Sequence, residues 1–350
     1  MTRFRITLGV VVAAIAVIVV VTVLRPASPP ARGGGGTGSN GALAPASQRP
    51  AAPGFTGLDG WVNTAPLTLT ALRGHVVLID FWTFSCVNCV RTIPHLQQLD
   101  AEYKGDGLVI VGVHSPEFDF EKSPSNVRAA VQRLGVTWPV AIDSQMATWN
   151  AYQNEYWPAE YLLDQQGRIA YTSFGEGDYD ATSKAVAALL SVHQASPPAA
   201  TEVPADITPE LYAGSERGVL ADGQKYGGQG EVASYPDHGP PQARDAIQVT
   251  GSWVDHGQYL EAVAPGHVRL NFHADSVYVV AGSAAGSLSI TVTIDGKPVP
   301  TDLAASSLTG SAFTVSRQDL FALLTAVDPG THLIDLSVPA GFQLYTFTFG

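Results

Sequence analysis

The stretch DFWTFSCVNCVRTIPHL, residues 80–96, contains the only two cysteines of the 350-residue chain, Cys86 and Cys89. The continuous apolar run HVVLIDFW (75–82) predicts a strand that is buried on both faces of a sheet. Apolar side chains at helical spacing follow and predict a helix over 86–103. The two sulfurs are therefore expected at the point where a buried strand turns into a helix.

The same alternation of strand and helix patterns extends over residues 55–193 and is typical of an α/β domain. Further strands are predicted at 107–115, 138–143, 159–164 and 168–174. Two more helices are predicted, one at 123–135 and one at about 181–193.

A second domain is predicted over residues 207–350, after a Pro- and Ala-rich linker at 194–206. Its strand-like runs, separated by Gly and Pro turns, lie at 257–263, 267–274, 276–282, 287–295, 332–338 and 343–349. The segment 317–324 is predicted to form a short helix. The pattern indicates an all-β sandwich of the jelly-roll type.

The N-terminal segment is predicted to be a single transmembrane helix, because residues 6–24 carry no charge. As a helix this run would span roughly 28 Å, nearly the thickness of a bilayer's apolar core. Arg3 and Arg5 precede it, so we expect residues 1–5 in the cytoplasm and the domains outside the cell membrane. Residues 25–54, rich in Pro, Gly, Ala and Ser, are predicted to be a disordered tether.

A cleaved signal peptide is the alternative for this segment. The apolar run is longer than usual for a signal peptide, and no clear A-x-A cleavage site follows it. Both interpretations export the remainder of the chain.

The charge balance argues against nucleic acid as a partner. The chain has 31 acidic and 19 basic residues, a formal net charge of −12, and no Lys/Arg cluster outside its extreme N-terminus. A nucleic-acid-binding surface would need such a cluster.

Three interpretations of Cys86 and Cys89 compete: a structural disulfide, half of a metal site, and a redox pair. Closing a loop of four residues gives only roughly 2 kcal/mol in the chain-entropy model, at the low end for a cross-link. A zinc site needs two more ligands, and no second C-x-x-C is present; His95 or His114 would have to serve. The redox interpretation accounts for both the number and the position of the cysteines.

The predicted position of the pair suggests different roles for the two sulfurs. Unpaired N–H groups at a helix N-terminus stabilise a thiolate at Cys86, whereas Cys89 would be shielded one turn inside. Cys86 would attack a substrate disulfide, and Cys89 would then attack Cys86 and release the reduced substrate. This cycle leaves a Cys86–Cys89 disulfide and requires no other cofactor.

The segment VVLIDFWTFSCVNCVRTIPHL resembles the active site of the thioredoxin superfamily, and within it the exported TlpA-like branch. The resemblance implies that Asp80 is a buried acid that helps to move the proton of the second cysteine. Burial should raise the pKa of such a carboxyl. It also implies that Pro94 kinks the helix and that Trp82 is an aromatic residue beside the site that contacts the substrate.

Further along, YWPAEYLLD (156–164) resembles the family segment that carries a cis-proline before a strand. The resemblance implies a cis bond between Trp157 and Pro158, next to the cysteine pair, with Trp157 and Pro158 in contact with the substrate peptide.

The two-domain order is most similar to the C-terminal periplasmic part of DipZ-type proteins, whose β domain is similar to carbohydrate-binding modules. DipZ-type proteins begin with a multi-helix electron-carrying membrane part, and this chain has one apolar run instead. The resemblance therefore implies exported disulfide-containing proteins as substrates and a separate, CcdA-like membrane electron donor. Family membership also favours a reductase over an oxidase.

A peroxidase of the peroxiredoxin type is a second interpretation, because Thr83 and Cys86 match a T-x-x-C pattern. Against it, Ile79 stands where those enzymes usually have a proline, and the C-x-x-C is not their usual arrangement. Glu117, just past a predicted strand end, is a weaker candidate for the site.

A binding function of the β domain is a third interpretation. Four aromatic residues would form a platform for cell-wall carbohydrate: Trp253, Tyr259, Tyr278 and Tyr345. Core packing is the simpler interpretation of each of them. Three scattered histidines suggest a metal only weakly and are more typical of structural residues: His256, His267 and His273.

Overall fold

The computed structural model of the protein describes residues 41–193 and 206–350. The predicted cytoplasmic tip and transmembrane helix, residues 1–24, lie outside the described residues, as do 25–40 of the tether and 194–205 of the second linker. In the two described ranges, no helix has the length and apolar character needed to cross a membrane.

The first domain confirms the predicted α/β alternation. Its elements are β1 (Gly60–Val62), β2 (Val76–Trp82), α1 (Val87–Tyr103), β3 (Leu108–His114), α2 (Pro124–Arg133), β4 (Val140–Ile142), α3 (Ala147–Ala151), β5 (Ala159–Leu163), β6 (Ile169–Phe174) and α4 (Tyr179–Leu190). A 3₁₀ helix, Asp119–Lys122, lies between β3 and α2. The sequence did not predict β1 or α3, which have only three and five residues and so show little periodicity.

The six strands form one sheet in the order β1-β4-β3-β2-β5-β6. Strands β2, β3 and β4 are parallel, and β5 runs antiparallel to β2. All seven residues of β2 are buried, because helices cover the central strand on both faces. The loop after β2, which carries the cysteines, therefore leaves the sheet at its centre.

Residues 41–54 differ from the prediction of a disordered tether. The Ala44 N–H bonds the Ala170 carbonyl at 2.8 Å, and the Ile169 N–H bonds the Pro50 carbonyl at 2.9 Å. Arg49 forms an ion pair with the buried Asp164 at 3.2 Å. This segment lies along the edge strand β6 because that strand offers unpaired backbone groups, which composition alone does not reveal.

The second domain is all-β, as predicted. Its strands are β7 (Leu211–Tyr212), β8 (Val232–Tyr235), β9 (Gln248–Asp255), β10 (Leu260–Ala262), β11 (Gly266–Phe272), β12 (Val277–Ser283), β13 (Leu288–Ile294), β14 (Lys297–Pro298), β15 (Ala312–Val315), β16 (Asp319–Leu324), β17 (His332–Val338) and β18 (Phe342–Phe349). Every pairing between these strands is antiparallel.

Hydrogen bonds join all twelve strands into one sheet, in which nine strands form a continuous path and β7, β8 and β15 pair off it, whereas a simple sandwich has two separate sheets. Strand β9 makes the connection, since its first half pairs with β11 and its second half with β10. Gly251 lies between the halves with φ of 91°, and a Cβ there would come within 2.9 Å of the Pro265 carbonyl oxygen. A glycine thus lets one strand pass from one part of the sheet to the other around a shared apolar core.

The segment 317–324 is not a helix, contrary to the prediction. Residues 319–324 form β16, an edge strand paired with β12. Leu323 and Leu324 are fully buried in the domain core. Burial and pairing here override the helix preference of a Leu- and Ala-rich segment.

The two domains meet beside the strand end of β3. Phe118 and Phe120 are stacked at 5.8 Å, and both contact the ring of Tyr345 from the β domain, at 5.3 and 5.0 Å. Glu117 pairs with Arg217 at 2.8 Å, and Arg133 pairs with Asp319 at 2.7 Å. The contact combines an aromatic cluster with ion pairs at its edge.

Candidate active site

Cys86 and Cys89 occupy the first turn of α1, as the sequence predicts. Cys86 is the N-cap residue, and its Sγ accepts the backbone N–H of Cys89 at 3.3 Å. Cys86 is half-buried, while Cys89 is 2% exposed. Both are free thiols in this structure. The outer sulfur is thus accessible and hydrogen-bonded at a helix N-terminus, and the inner one is shielded.

Cys89 lies in an environment that favours its protonated form. Burial raises the pKa of the Cys89 thiol well above its usual value, and the neighbouring Cys86 and Asp80 add to this effect. A backbone hydrogen bond from Thr83 acts in the opposite direction. Cys89 therefore needs a nearby base before it can act as a nucleophile.

Asp80 lies in the middle of the buried strand β2, on the face that carries α1. It is 4% exposed, and its Oδ1 has no hydrogen-bond partner. Burial first, and then the charge of Glu160, raise the pKa of Asp80 well above its usual value. The expectation of a buried acid with a raised pKa is confirmed.

The sequence reasoning missed Glu160, which pairs directly with Asp80 across β2 and β5. Glu160 is 5% exposed, and burial raises its pKa to about 7. Its Oε2 accepts a hydrogen bond from Thr182 Oγ1 at 2.8 Å. An acid inside the apolar run AEYLL was the available signal, because a buried strand position should not carry an unpaired charge.

The Trp157–Pro158 bond is cis, as the resemblance implies. Ala159, the next residue, pairs with Phe81 near the end of β2, so the cis bond lies at the same sheet end as the cysteine loop. Trp157 is half-buried; its indole N–H donates to the Ser115 carbonyl at 3.0 Å, and its ring packs on Trp149 at 4.2 Å. These contacts fix the loop that carries Pro158.

Trp82 does not lie where a substrate could touch it. Its indole is 2% exposed and packs edge-on against His114 at 5.3 Å. The interpretation of Trp82 as a substrate-contacting residue does not fit this position. The alternation of β2 directs residue 82 to the same buried face as Asp80, where it becomes part of the core beneath the site.

His114 was considered only as an accidental zinc ligand, yet it supports the cysteine loop. It is fully buried, stacks on Phe84 at 5.4 Å, and has its Nε2 3.3 Å from Thr83 Oγ1. Burial lowers its pKa to about 3, so it is neutral near pH 7. Its place at the end of β3, next to β2, follows from the parallel pairing of Trp82 with His114.

Glu121 links the cysteine loop to the domain interface, and no sequence pattern pointed to it. Its Oε1 accepts from the Ser85 hydroxyl at 2.6 Å and the Ser85 N–H at 3.2 Å. Its Oε2 accepts from the N–H groups of Glu117 and Phe118 at 2.7 and 3.0 Å. One buried carboxyl thus holds the residue before Cys86 and the segment that contacts the β domain.

The other candidates from the sequence lie elsewhere. Thr83 is fully buried against His114, which does not suit a residue that positions a peroxide. Glu117 binds Arg217 and the Tyr212 hydroxyl of the β domain, both at 2.8 Å, and so belongs to the domain interface.

The four aromatic residues of the β domain do not form one exposed platform. Trp253 is fully buried, Tyr345 is 4% exposed in the domain interface, and Tyr259 stacks on Tyr345 at 4.8 Å. Tyr278 lies 6.0 Å from the guanidinium carbon of Arg91. Carbohydrate binding stays a prediction that these contacts do not support.

The histidines do not indicate a metal centre either. His267 bonds Asp335 at 2.8 Å, and His256 stacks on Tyr259 at 4.6 Å. Across residues 41–193 and 206–350, no group of three or more His, Cys, Asp or Glu side chains is arranged to hold a metal ion.

Two family models match this chain. The model described as Redoxin matches residues 45–190, and the model described as Thioredoxin like C-terminal domain matches residues 208–350. The chain belongs to the thioredoxin superfamily. The resemblance on the cysteine segment is confirmed, and the two matches coincide with the two domains of the structure.

Protein DipZ of Mycobacterium tuberculosis (strain CDC 1551 / Oshkosh) is 37% identical to this chain over 319 residues. The match covers 85% of this chain and 43% of DipZ, so the chain spans less than half the length of that relative. The similarity includes both domains, which confirms the predicted relation to DipZ-type proteins.

Two shorter relatives carry the name thiol-disulfide oxidoreductase. YkuV of Bacillus subtilis (strain 168) is 28% identical over 143 residues, 41% of this chain and 96% of YkuV. ResA of Halalkalibacterium halodurans is 30% identical over 109 residues, 31% of this chain and 59% of ResA. The first domain of this chain is thus similar in sequence to two proteins of that name.

Proposed function

We propose that this chain is a membrane-anchored, extracytoplasmic thiol–disulfide reductase whose working dithiol is Cys86 and Cys89. The observation that carries the proposal is the asymmetry of the two sulfurs. Cys86 is accessible and accepts an N–H at a helix N-terminus, whereas Cys89 is buried beside a carboxyl. A nucleophile and a shielded resolving thiol need these two environments.

In the first step, the Cys86 thiolate attacks one sulfur of a substrate disulfide. The substrate's S–S bond breaks, a mixed disulfide with Cys86 forms, and the other substrate sulfur leaves as a thiolate. The Cys89 N–H, 3.3 Å from the Cys86 Sγ, and the first turn of α1 stabilise negative charge on that sulfur.

In the second step, Cys89 resolves the mixed disulfide. Asp80 accepts the proton of Cys89, and the Cys89 thiolate attacks the Cys86 sulfur. The second substrate sulfur leaves with the bonding electrons, and the Cys86–Cys89 disulfide remains. Two electrons have passed from the dithiol to the substrate, and Asp80 suits its role because a buried carboxyl with a raised pKa is a stronger base.

The loop with the cis bond at Pro158 supports a peptide-binding role beside this dithiol. It lies at the same sheet end as Cys86, and the contacts of Trp157 with Ser115 and Trp149 hold it in place. An extended substrate segment would lie along this loop, with its disulfide facing Cys86.

Substrates and electron source follow from the proposed location. An exported dithiol requires exported disulfide-containing proteins as substrates, and reduction by a separate, CcdA-like membrane protein after each turnover. The apolar run at 6–24 and the basic residues before it support the membrane anchor.

The experiment is the reduction of insulin disulfides by the full-length chain in detergent, with dithiothreitol as electron donor. We expect turnover well above the dithiothreitol background, and its loss in both Cys86→Ser and Cys89→Ser. Turnover of hydrogen peroxide without insulin reduction would contradict the proposal and favour a peroxidase. The reduction potential tests direction: a value near about −270 mV fits a reductase, and one near about −120 mV an oxidase.

A further inference from the structure

We propose that Glu160 is a positioning residue for the resolving step, sharing with Asp80 the proton that Cys89 releases and so setting the pH at which Asp80 can accept it. The inference rests on the proposed function of Cys86 and Cys89. It assigns a role to a residue that lies 71 positions beyond Cys89 and that the cysteine motif does not include.

The pairing of β2 with β5 brings the two carboxyls together. Asp80 and Glu160 are direct partners in this antiparallel pair, so their side chains extend from the same face of the sheet. Directly opposite residues have Cβ atoms roughly 5 Å apart. That face carries Cys89, which packs in the same cluster as Leu78, Trp82 and Leu162 of the two strands.

Within residues 41–193 and 206–350, neither carboxyl has a cation that compensates its charge. Asp80 Oδ1 is buried without any hydrogen-bond partner. Glu160 has only the Thr182 hydroxyl, at 2.8 Å from α4, which orients it. A further charge that acts on Glu160 is that of another acid, Asp178, at the start of α4. Ionising both carboxyls in a dry interior costs much free energy, so the two groups titrate as a pair that shares a proton near neutral pH.

The other titratable groups around the pair come from three elements. Cys89 lies on α1, where His95 also stacks on Tyr179 of α4 at 4.6 Å. Tyr171 of β6 lies 3.5 Å from the Thr182 hydroxyl, and Tyr179 of α4 is affected by the charge of Glu160. No Lys, Arg or His is among the groups that act on either carboxyl. The interaction between the two acids is therefore the main charge–charge interaction at Asp80.

The proton balance of the resolving step gives Glu160 its role. In the reacting form both carboxyls are ionised, and Asp80 takes the proton of Cys89 as the Cys89 sulfur attacks Cys86. The Cys86–substrate bond breaks, the substrate thiolate leaves, and the pair then holds one shared proton, which later returns to solvent. Glu160 makes Asp80 a stronger base than it would be alone, because a neighbouring negative charge favours the protonated form.

The test is the pH dependence of the resolving step in single-turnover reactions of the reduced full-length chain with oxidised glutathione. Acid quenching and mass spectrometry separate the formation of the glutathione adduct on Cys86 from its decay through Cys89. In the plot of the decay rate against pH, we expect the acidic limb to move to lower pH in Glu160→Gln. The reason is that loss of the Glu160 charge lowers the pKa of Asp80. The decay rate above the limb should fall, because Asp80 is then a weaker base.

Three further variants make the result specific. Glu231→Gln removes the same charge from an exposed position of the β domain, where water screens it, and should leave the limb in place. Glu160→Asp keeps a carboxylate farther from Asp80, so its limb should lie between those of wild type and Glu160→Gln. Asp80→Asn should lose the limb.

The inference would be overturned if the limb stays at its wild-type pH in Glu160→Gln but is lost in Asp80→Asn. Asp80 would then act alone. If the near-ultraviolet circular dichroism of Glu160→Gln differs from wild type, Glu160→Asp decides, and a limb at the wild-type position then overturns the inference. Absence of any glutathione adduct on Cys86 in the wild type would instead contradict the proposed function.

Discussion

The region around the cysteine pair and the region around Arg269 of the β domain differ in how they bury charge. In the first domain, Asp80, Glu160 and His114 are buried around the cysteine pair with unpaired atoms or neighbours of like charge. In the β domain, the buried Arg269 bonds Asp335 at 2.8 Å and Asp237 at 2.6 Å. Buried charge that lacks a partner lowers stability.

This difference indicates where the chemistry lies. Ionisable groups with strongly shifted pKa values around a reactive thiol are expected at an active site, whereas compensated ion pairs hold strands together. The β domain still bears on the site, since Phe118 contacts it and Glu121 joins Phe118 to the residue before Cys86. We infer that contact with the β domain stabilises the first domain.

The largest predicted effect comes from weakening this contact between the domains. Phe118 is 2% exposed and contacts Tyr345, so Phe118→Ala should lower the free energy of unfolding of the full-length chain by about 3 kcal/mol. Chemical denaturation followed by tryptophan fluorescence measures it. Val219→Ala, at a β-domain residue that is 78% exposed, is the control and should change stability by less than about 0.5 kcal/mol. Equal effects of the two variants would mean that the interface contributes nothing.

A pH-dependent effect tests the buried groups of the first domain. Since burial lowers the pKa of His114 to about 3 in the folded chain, the unfolded chain binds a proton between about pH 6.5 and 3 that the folded chain does not. Burial of His114 therefore lowers the free energy of unfolding as the pH falls through this range. Relative to His114→Asn, the wild type should lose up to about 1.4 kcal/mol per pH unit on acidification from pH 6 to pH 4.

Denaturation curves of both chains at pH 7, 6, 5 and 4 give this difference directly, because groups common to both cancel. A constant difference across these pH values would show that His114 binds a proton as readily in the folded chain as in the unfolded chain, contrary to its buried position.

The smallest effect concerns the edge of the interface. Arg133 pairs with Asp319 at 2.7 Å, but its side chain is 36% exposed, and Asp319 keeps Arg317 as a second partner. Arg133→Ala should therefore lower the free energy of unfolding by less than about 1 kcal/mol, and by less still at high salt. A loss as large as that of Phe118→Ala would place the energy of the interface in its ion pairs.

The sequence predicted the α/β domain well because β2 and α1 carry strong local patterns, a buried run and a helical repeat around two cysteines. It also placed Cys86, Cys89 and Asp80, since these lie in one short segment. The helix predicted for residues 317–324 was wrong, because pairing with β12 overrides the helix-forming composition of this segment.

The rest of the site could not be found locally. Strand pairing brings Glu160 beside Asp80, and the turn after β3 brings Glu121 to the cysteine loop, at positions 71 and 32 residues beyond Cys89. Trp82 was misplaced for a related reason, because its burial depends on His114 in the neighbouring strand. Long-range pairing decides such positions, and a single sequence does not encode it in a local pattern.

The most direct test of the account is trapping of substrates by single-cysteine variants of the full-length chain in its native membrane. Cys89→Ser leaves Cys86 as nucleophile with no resolving thiol, so mixed disulfides with exported proteins should accumulate and disappear on reduction. Cys86→Ser should trap none, because Cys89 is buried. Trapping through Cys89 in Cys86→Ser, and none in Cys89→Ser, would contradict the assigned roles of the two sulfurs.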